Sequence, residues 1–234
     1  MTKHILLTGA SRGIGAAIAE RLASEDVKLI TTSSADGDLA DPATPARLWN
    51  GALERLGGRI DVLINNAGVF EANPLDSNDS DWSANWARTL QINLTASTEL
   101  TRHAVRYWQA RGRGQGRDGR IVNIASRAAH RGDSPAHWHY AASKAGMLGV
   151  TKTIARAYAA DDIYAFAICP GFTATGMVEE YLASRGGDKL LADIPLGRPA
   201  EPSEVAEMVA FCALKAPPSM TGAVLDVNGA SYVR

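Results

Sequence analysis

Ile5-Leu6-Leu7-Thr8-Gly9-Ala10-Ser11-Arg12-Gly13-Ile14-Gly15 is the stretch that decides the fold. A short apolar run stops at Gly9. After it, Ile14, Ala17, Ile18 and Leu22 recur at helical spacing. The reading is strand, glycine turn, helix. Glycines let the backbone come close to a pyrophosphate, and the start of a helix favours an anion. The spacing is Gly-x-x-x-Gly-x-Gly, not the common dinucleotide Gly-x-Gly-x-x-Gly. A plain strand-to-helix turn would look the same, so this stretch alone sets a βα unit and no chemistry.

Working outward, strands and helices alternate. Residues 27–31 read as a second strand, 42–56 as a helix and 61–65 as a buried strand. Residues 81–110 form a long Trp-rich helical pattern, expected to be two helices meeting near Gln91. Strands follow at 120–125, 164–169 and 224–227, with helices at 139–160 and 203–214 between them. Alternation of this kind predicts a single-domain α/β fold, a doubly wound parallel sheet over residues 1–234 with no linker or repeat. Ligands in such sheets bind beyond the carboxyl ends of the strands. That groups the loops after Leu7, Asn65, Ile124 and Cys169.

Composition narrows the class. The 234 residues are 46% hydrophobic, enough for a sizeable core, and the formal net charge is −1. That balance gives no overall pull toward nucleic acid or an anionic membrane. The one basic cluster, at 111–117, is glycine-rich and reads as a solvated loop. No apolar run is long enough to span a bilayer, and the chain enters a strand without a signal-peptide core. The expectation is a cytoplasmic protein with neither nucleic-acid nor membrane partners. Cys169 and Cys212 sit far apart in apolar runs and read as small buried hydrophobes. His130, His137 and His139 have no acidic or cysteine pattern beside them, so no metal is expected.

Three of the grouped loops and one helix carry polar motifs. Asn65-Asn66-Ala67-Gly68 follows a strand, where two amides can bond neighbouring loops and a ribose. Asn93 is a polar amide among apolar residues in a helix. Such a group faces solvent or finds partners, for example a water leading toward Lys144. Tyr140-Ala141-Ala142-Ser143-Lys144 puts a phenol and an ammonium one helical turn apart, fourteen residues after Ser126. A cation that close is expected to lower the phenol pKa from about 10. An ordinary surface helix pair has the same spacing.

Together these motifs resemble the short-chain dehydrogenase/reductase family, in its order. They are the turn at 8–15, Asn-Asn-Ala-Gly at 65–68, Asn93, and Ser126 with Tyr140 and Lys144. Pro170-Gly171-Phe172-Thr173-Ala174-Thr175 and the C-terminal Asp226-Val227-Asn228-Gly229-Ala230 also look like family patterns. The likeness covers nearly the whole chain and is nearest to the 3-oxoacyl-reductase-like branch. It implies hydride transfer between a nicotinamide and a carbonyl or secondary alcohol. Tyr140 would be the general acid or base, and Lys144 its partner and a ribose ligand. Ser126 would hold the substrate oxygen and Asn93 a relay water. The cofactor would rest on Gly9, Ser11, Arg12, Gly13, Ile14, Gly15, Ser34, Asp38, Leu39, Asn66, Ala67, Gly68, Tyr140, Lys144, Pro170, Gly171, Phe172 and Thr175.

The second strand ends in Thr32-Ser33-Ser34 with no acid, and Arg12 and Ser34 suit a 2′-phosphate. NADP(H) is therefore favoured, with NAD(H) possible because Asp36 and Asp38 lie close by. The segment also departs from the family. Asp38-Leu39, resembling the family's Asp-hydrophobe pair beside the adenine, arrives four residues after Ser34. A crossover of about a dozen residues cannot fit there, so the helix usual between the family's second and third strands is expected to be missing. The neighbouring edge strand should be short or absent, and the adenine end open.

The substrate should lie near Ser126 and Tyr140 beneath residues 172–196, a segment expected to act as a lid. Met177 and Tyr181 are apolar candidates. Arg127, His130 and Arg131 either belong to a solvated loop or greet a polar or anionic substrate group. The small residues of the 139–160 helix, with the family likeness, imply a homodimer or homotetramer. A specific 3-oxoacyl thioester reductase is the alternative within the enzyme class. An idle dinucleotide-binding sensor or scaffold is the alternative outside it, and a methyltransferase would leave Tyr140, Lys144 and Asn93 without a task.

Overall fold

The computed structural model describes residues 1–112, 118–176 and 191–233. The apolar runs become strands β1 (Lys3–Thr8), β2 (Val27–Thr32), β3 (Val62–Asn65), β4 (Gly119–Ile124), β5 (Ile163–Pro170) and β6 (Val224–Val227). All pair in parallel, in the order β2-β1-β3-β4-β5-β6. The chain leaves β1 toward one edge, through helix α1 (Gly13–Ala23) to β2. It then returns through α2 (Thr44–Arg55) to β3 on the far side of β1. The order reverses between β1 and β3, and a crevice opens there at the strand ends.

Side-chain alternation divides the core into two layers. Ile5, Leu7, Ile64, Val122 and Phe166 pack on one face with Ile18 and Leu22 of α1 and with Val205 and Val209 of α7 (Pro202–Ala210). Leu6, Leu63 and Ile121 point the other way. They meet Trp49 and Ala52 of α2 and Leu100, Ala104 and Trp108 of α4 (Ala96–Arg111). The central strands β3, β4 and β5 are buried along their whole length, which is why they read as continuous apolar runs.

The 81–110 pattern is two helices, α3 (Asp79–Leu90) and α4, joined by a π turn at Gln91–Thr95 where a meeting point was expected. Asn78 caps α3, accepting from the Asp81 amide. Between Thr32 and Asp38 there is only a turn, and among the described residues β2 is the sheet edge with no strand beyond it. The expected loss of a helix and an edge strand is what the structure has. The helix that remains, α2, is the one predicted at 42–56. The stretch after Ser126 differs from the solvated-loop reading: residues Ala128–Arg131 make one helical turn, α5.

Trp108 is 2% exposed, donates its indole N–H to the Ile60 carbonyl (2.7 Å), and lies so close to Gly119 that a Cβ there would collide with its ring. Truncation would leave a large void and strip the Ile60 carbonyl of its shorter hydrogen bond, leaving it only the one from Arg111 (3.3 Å). Trp108→Ala is expected to cost about 3–5 kcal/mol in urea unfolding; a loss below about 1 kcal/mol would show that this layer does not hold α4 to the sheet.

Candidate active site

The crevice begins where two turns interlock. Thr8 Oγ1 at the end of β1 accepts from the backbone amides of Asn66 (3.1 Å) and Ala67 (3.2 Å) after β3. Asn66 Nδ2 returns the contact, donating to the carbonyls of Thr8 (3.1 Å) and Gly9 (2.8 Å). Gly9 sits at φ +69, and a Cβ there would be 2.6 Å from the Ala67 Cα. A Cβ at Gly15 would overlap the Gly9 carbonyl oxygen. Glycine at both positions is therefore a packing requirement, and at Gly9 a conformational one as well. The result is a shallow cradle over the first turn of α1, the surface a pyrophosphate needs.

Behind it runs a chain of buried amides. Asn65 Nδ2 donates to Asn123 Oδ1 (2.9 Å) and to Thr101 Oγ1 (3.2 Å). Asn123 Nδ2 donates to Thr151 Oγ1 (2.8 Å). Thr151 lies on α6 (Trp138–Tyr158), so β3, β4 and α6 are tied in one register. That register places Tyr140 and Lys144 beside Ser126 at the end of β4.

The crevice has a volume of about 1080 Å³, above the usual range for a single small ligand. Its walls include Gly9, Ser11, Arg12, Gly13, Ile14, Gly15, Ser34, Asp38, Leu39, Asn66, Ala67, Gly68, Pro170, Gly171, Phe172 and Thr175. Ser126, Tyr140 and Lys144 line its other end. Arg127 and Arg131 are at the wall as well; His130 is not, because its ring stacks on Tyr232 (5.3 Å). There His130 lies near Cys169 and Asp226, the three donor atoms within 4.8 Å of one another, a grouping that sequence spacing hid. Met177, Tyr181 and most of the expected lid fall outside the described residues.

Asn93 is fully buried in the π turn, not solvent-facing. Its Oδ1 accepts from the Val69 amide (2.8 Å), and its Nδ2 donates to the Val69 carbonyl (2.9 Å) and to Ser143 Oγ (3.3 Å). The side chain thus clamps the loop after β3 to α6, and both its amide protons are committed. The expected relay water would meet the Asn93 Oδ1, which accepts one bond here and has a second lone pair. Ser143, which sequence reasoning missed, bridges Asn93 to the Tyr140 carbonyl (2.7 Å). Phe70 was missed as well. It stacks on His137 (4.0 Å) and meets Tyr140 edge-on (4.8 Å), covering one side of the phenol ring. Its one signal is that it is the first aromatic residue after the Asn-Asn-Ala-Gly turn.

The electrostatics differ from the expected direction. Burial pushes the Tyr140 phenol up to about 12, outweighing the hydrogen bond to Ser126 that pulls it down. Burial also lowers Lys144 to about 8. Lys144 is 4% exposed; its ammonium lies 5.8 Å from the Tyr140 ring centre and donates to the Ile124 carbonyl (2.8 Å). In this ligand-free crevice the phenol keeps its proton, and the lysine, not the tyrosine, is the group brought toward neutrality.

At the opposite end, Arg12 is exposed and its side chain takes no hydrogen bond or ion pair among the described residues. Asp36, the nearest acid after β2, folds back to accept from the Ser33 amide (2.8 Å) and hydroxyl (3.1 Å) and does not line the crevice. Asp38 does, with one carboxylate oxygen taken by the Ala40 amide (2.9 Å).

With the fold and this crevice in place, comparison with known proteins is decisive for class. A family model described as Enoyl-(Acyl carrier protein) reductase matches residues 33–230. The chain belongs to the short-chain dehydrogenase/reductase family and is an oxidoreductase acting on carbonyls or alcohols. Within that family it lies on the 3-oxoacyl-reductase-like branch. It is 33% identical to the 3-oxoacyl-[acyl-carrier-protein] reductase FabG of Vibrio cholerae, over 99% of this chain and 98% of that one. Among solved structures it resembles the aldohexose dehydrogenase of Thermoplasma acidophilum in ligand-free form (TM-score 0.86, 30% identity, covering 100% of this chain and 95% of that one). It also resembles a variant of the actinorhodin polyketide ketoreductase with NADPH (TM-score 0.83, 30% identity, covering 97% and 96%).

Lys144 supplies a signed pH test. Its folded pKa, about 8, lies below the unfolded value, so its burial destabilises the fold below pH 8. That penalty fades as pH rises from about 8 to about 10.4. Lys144→Met is therefore expected to stabilise the ligand-free protein, by a few kcal/mol at most on the order of linkage arithmetic, and more at pH 7 than at pH 10. Urea unfolding at the two pH values checks this, and an equal change at both would contradict it. Gly15→Ala is expected to weaken dinucleotide binding at least tenfold, read by quenching of protein fluorescence.

Proposed function

We propose that this chain is an NADP(H)-preferring reductase of carbonyl compounds, or in reverse a dehydrogenase of secondary alcohols. The observation that carries the reading is the convergence of Ser126, Tyr140 and Lys144 at one end of a crevice whose other end is a glycine cradle beside an unpaired Arg12. The dinucleotide would lie along Gly9, Ser11, Gly13, Ile14, Gly15, Asn66, Ala67 and Gly68, its nicotinamide end toward Lys144, Pro170, Gly171, Phe172 and Thr175. Asp38 and Leu39 would flank the adenine, and Arg12 with Ser34 would take the 2′-phosphate. When bound, the nicotinamide supplies or accepts the hydride.

The chain's own residues do the rest. The Ser126 hydroxyl donates to the substrate oxygen and holds the carbonyl in place as charge develops. The Tyr140 phenol, protonated at neutral pH, is the acid that delivers a proton to that oxygen. Lys144 sits behind the phenol with its ammonium fixed by the Ile124 carbonyl, offering its other protons toward the phenol oxygen and the ribose hydroxyls. Asn93 positions the loop carrying Gly68, where a Cβ would be 3.5 Å from the lysine nitrogen. Names of relatives on the 3-oxoacyl branch support a 3-oxoacyl thioester as the runner-up substrate class.

Exposed Ala142, Ala145 and Gly149 make a smooth stripe on α6 that supports a homodimer or homotetramer. The proposed setting is the cytoplasm; among the described residues no helix is long and apolar enough to cross a membrane.

Tyr140→Phe is expected to reduce turnover roughly 10²–10⁴-fold while cofactor affinity stays within about twofold. Survival of turnover would remove the mechanism, and absence of turnover in the unaltered protein across ketones, sugars and acyl thioesters would favour an idle binding module. NADPH should be preferred over NADH by tenfold or more in kcat/KM, equivalent to about 1.4 kcal/mol, and Arg12→Ser should erase most of that. A tenfold preference for NADH would end the 2′-phosphate role of Arg12 and Ser34.

A further inference from the structure

Directly after Ser126 the sequence places an arginine, and the fold buries it. The Arg127 side chain is 12% exposed at the crevice wall, with its guanidinium over the Phe172 ring (4.4 Å). Its Nη1 has no hydrogen-bond partner. Among the described residues that nitrogen has one ion pair, with Asp193, 3.7 Å away and half-exposed. The same Asp193 oxygen is held at 2.7 Å by Arg131 Nη1, which also donates to the Ser231 carbonyl (3.3 Å). Two guanidinium groups therefore converge on one acidic oxygen. Asp133 is the other acid at this wall, but it is exposed and one of its oxygens is taken by the Ser134 amide (2.7 Å).

A buried cation with an unbonded donor is costly and is retained where something pairs with it. A neutral ketone gains nothing from it. A substrate bearing a carboxylate, with its carbonyl on Ser126, would bring a full negative charge to that donor in a site from which water is largely displaced.

We propose that Arg127, assisted by Arg131, is a carboxylate-recognition subsite at the substrate end of the crevice, and that Asp193 occupies it as an internal stand-in until a substrate carboxylate takes its place. The substrate class is then a small oxo acid or its hydroxy counterpart. This rests on the carbonyl-reductase reading of the same crevice, which it makes specific. Asp193 competes with the ligand, so removing its charge strengthens anion binding. Removing Arg127 abolishes the preference for anions.

The test uses the full chain with NADP(H) and two matched probes, acetoacetate and its neutral methyl ester, together with malonate as a carboxylate that cannot be reduced. The kcat/KM ratio of acetoacetate to ester is expected to exceed ten in the unaltered protein, to fall at least tenfold in Arg127→Met, and to rise several-fold in Asp193→Asn. Malonate should raise the melting temperature of the unaltered protein and of Asp193→Asn, and leave that of Arg127→Met unmoved. Asp193 is half-exposed, so its variant reports on the subsite even where Arg127→Met does not fold. Turnover of the ester with no preference for acetoacetate overturns the subsite and leaves the reductase reading standing. Malonate stabilisation that depends on Arg127, with no carbonyl turned over, does the reverse. A ratio unchanged in Asp193→Asn overturns the stand-in role.

Discussion

The structure depends on the knot between the turns after β1 and β3. Thr8-Gly9 and Asn66-Ala67 exchange four hydrogen bonds across a gap too narrow for any side chain at Gly9 or Gly15. The two strands are neighbours in the sheet but leave it toward opposite sides. A parallel sheet splays at such a point, and without the knot the crevice floor would have no fixed shape. With it, backbone amides and the start of α1 are held in place, so a ligand there need not order them. The knot is polar and costs little to desolvate, because every donor named in it has an acceptor.

From that floor the geometry is passed sideways through amides. Asn65, Asn123 and Thr151 form a buried line from β3 to α6, and Asn93 with Ser143 forms a second one. These lines keep α6 from sliding along the sheet, where greasy contacts alone would permit small shifts in register. Catalytic alignment of a phenol and an ammonium tolerates little error, and hydrogen-bonded amides have only one good distance. Both reactive groups are then held at an electrostatic disadvantage, phenol too weak an acid and ammonium too strong a one. Both shifts come from burial at the crevice wall, and perturbed groups of this kind cluster at functional sites.

Much of this was legible in the chain. Alternating apolar runs gave the parallel sheet, and Gly-rich and Asn-rich turns marked the strand ends that face the crevice. The four-residue gap from Ser34 to Asp38 revealed a missing crossover, because chain length is a hard bound. Three things were not legible. The direction of the Tyr140 shift depends on how deeply α6 is packed, which helical spacing does not report. The task of Asn93 depends on a backbone segment, Val69, that carries no polar signature. The neighbourhood of His130, Cys169 and Asp226 joins three distant stretches, and only strand register brings the last two side by side.

The shortened segment after β2 has a consequence away from the crevice. A strand that would be flanked on both sides is left as the sheet edge, and the outward-facing N–H and C=O groups along its six residues pair with no strand among the described residues. Such a border is a template for another polypeptide. The chain keeps it unattractive: Lys28 and Thr31 are exposed, Val27, Leu29 and Ile30 are only half-covered, and the Ser33–Asp36 turn folds over the far end. Shedding one crossover thus moves the burden of solubility onto a single strand. In this molecule a lone lysine guards a rim that a longer chain would have covered.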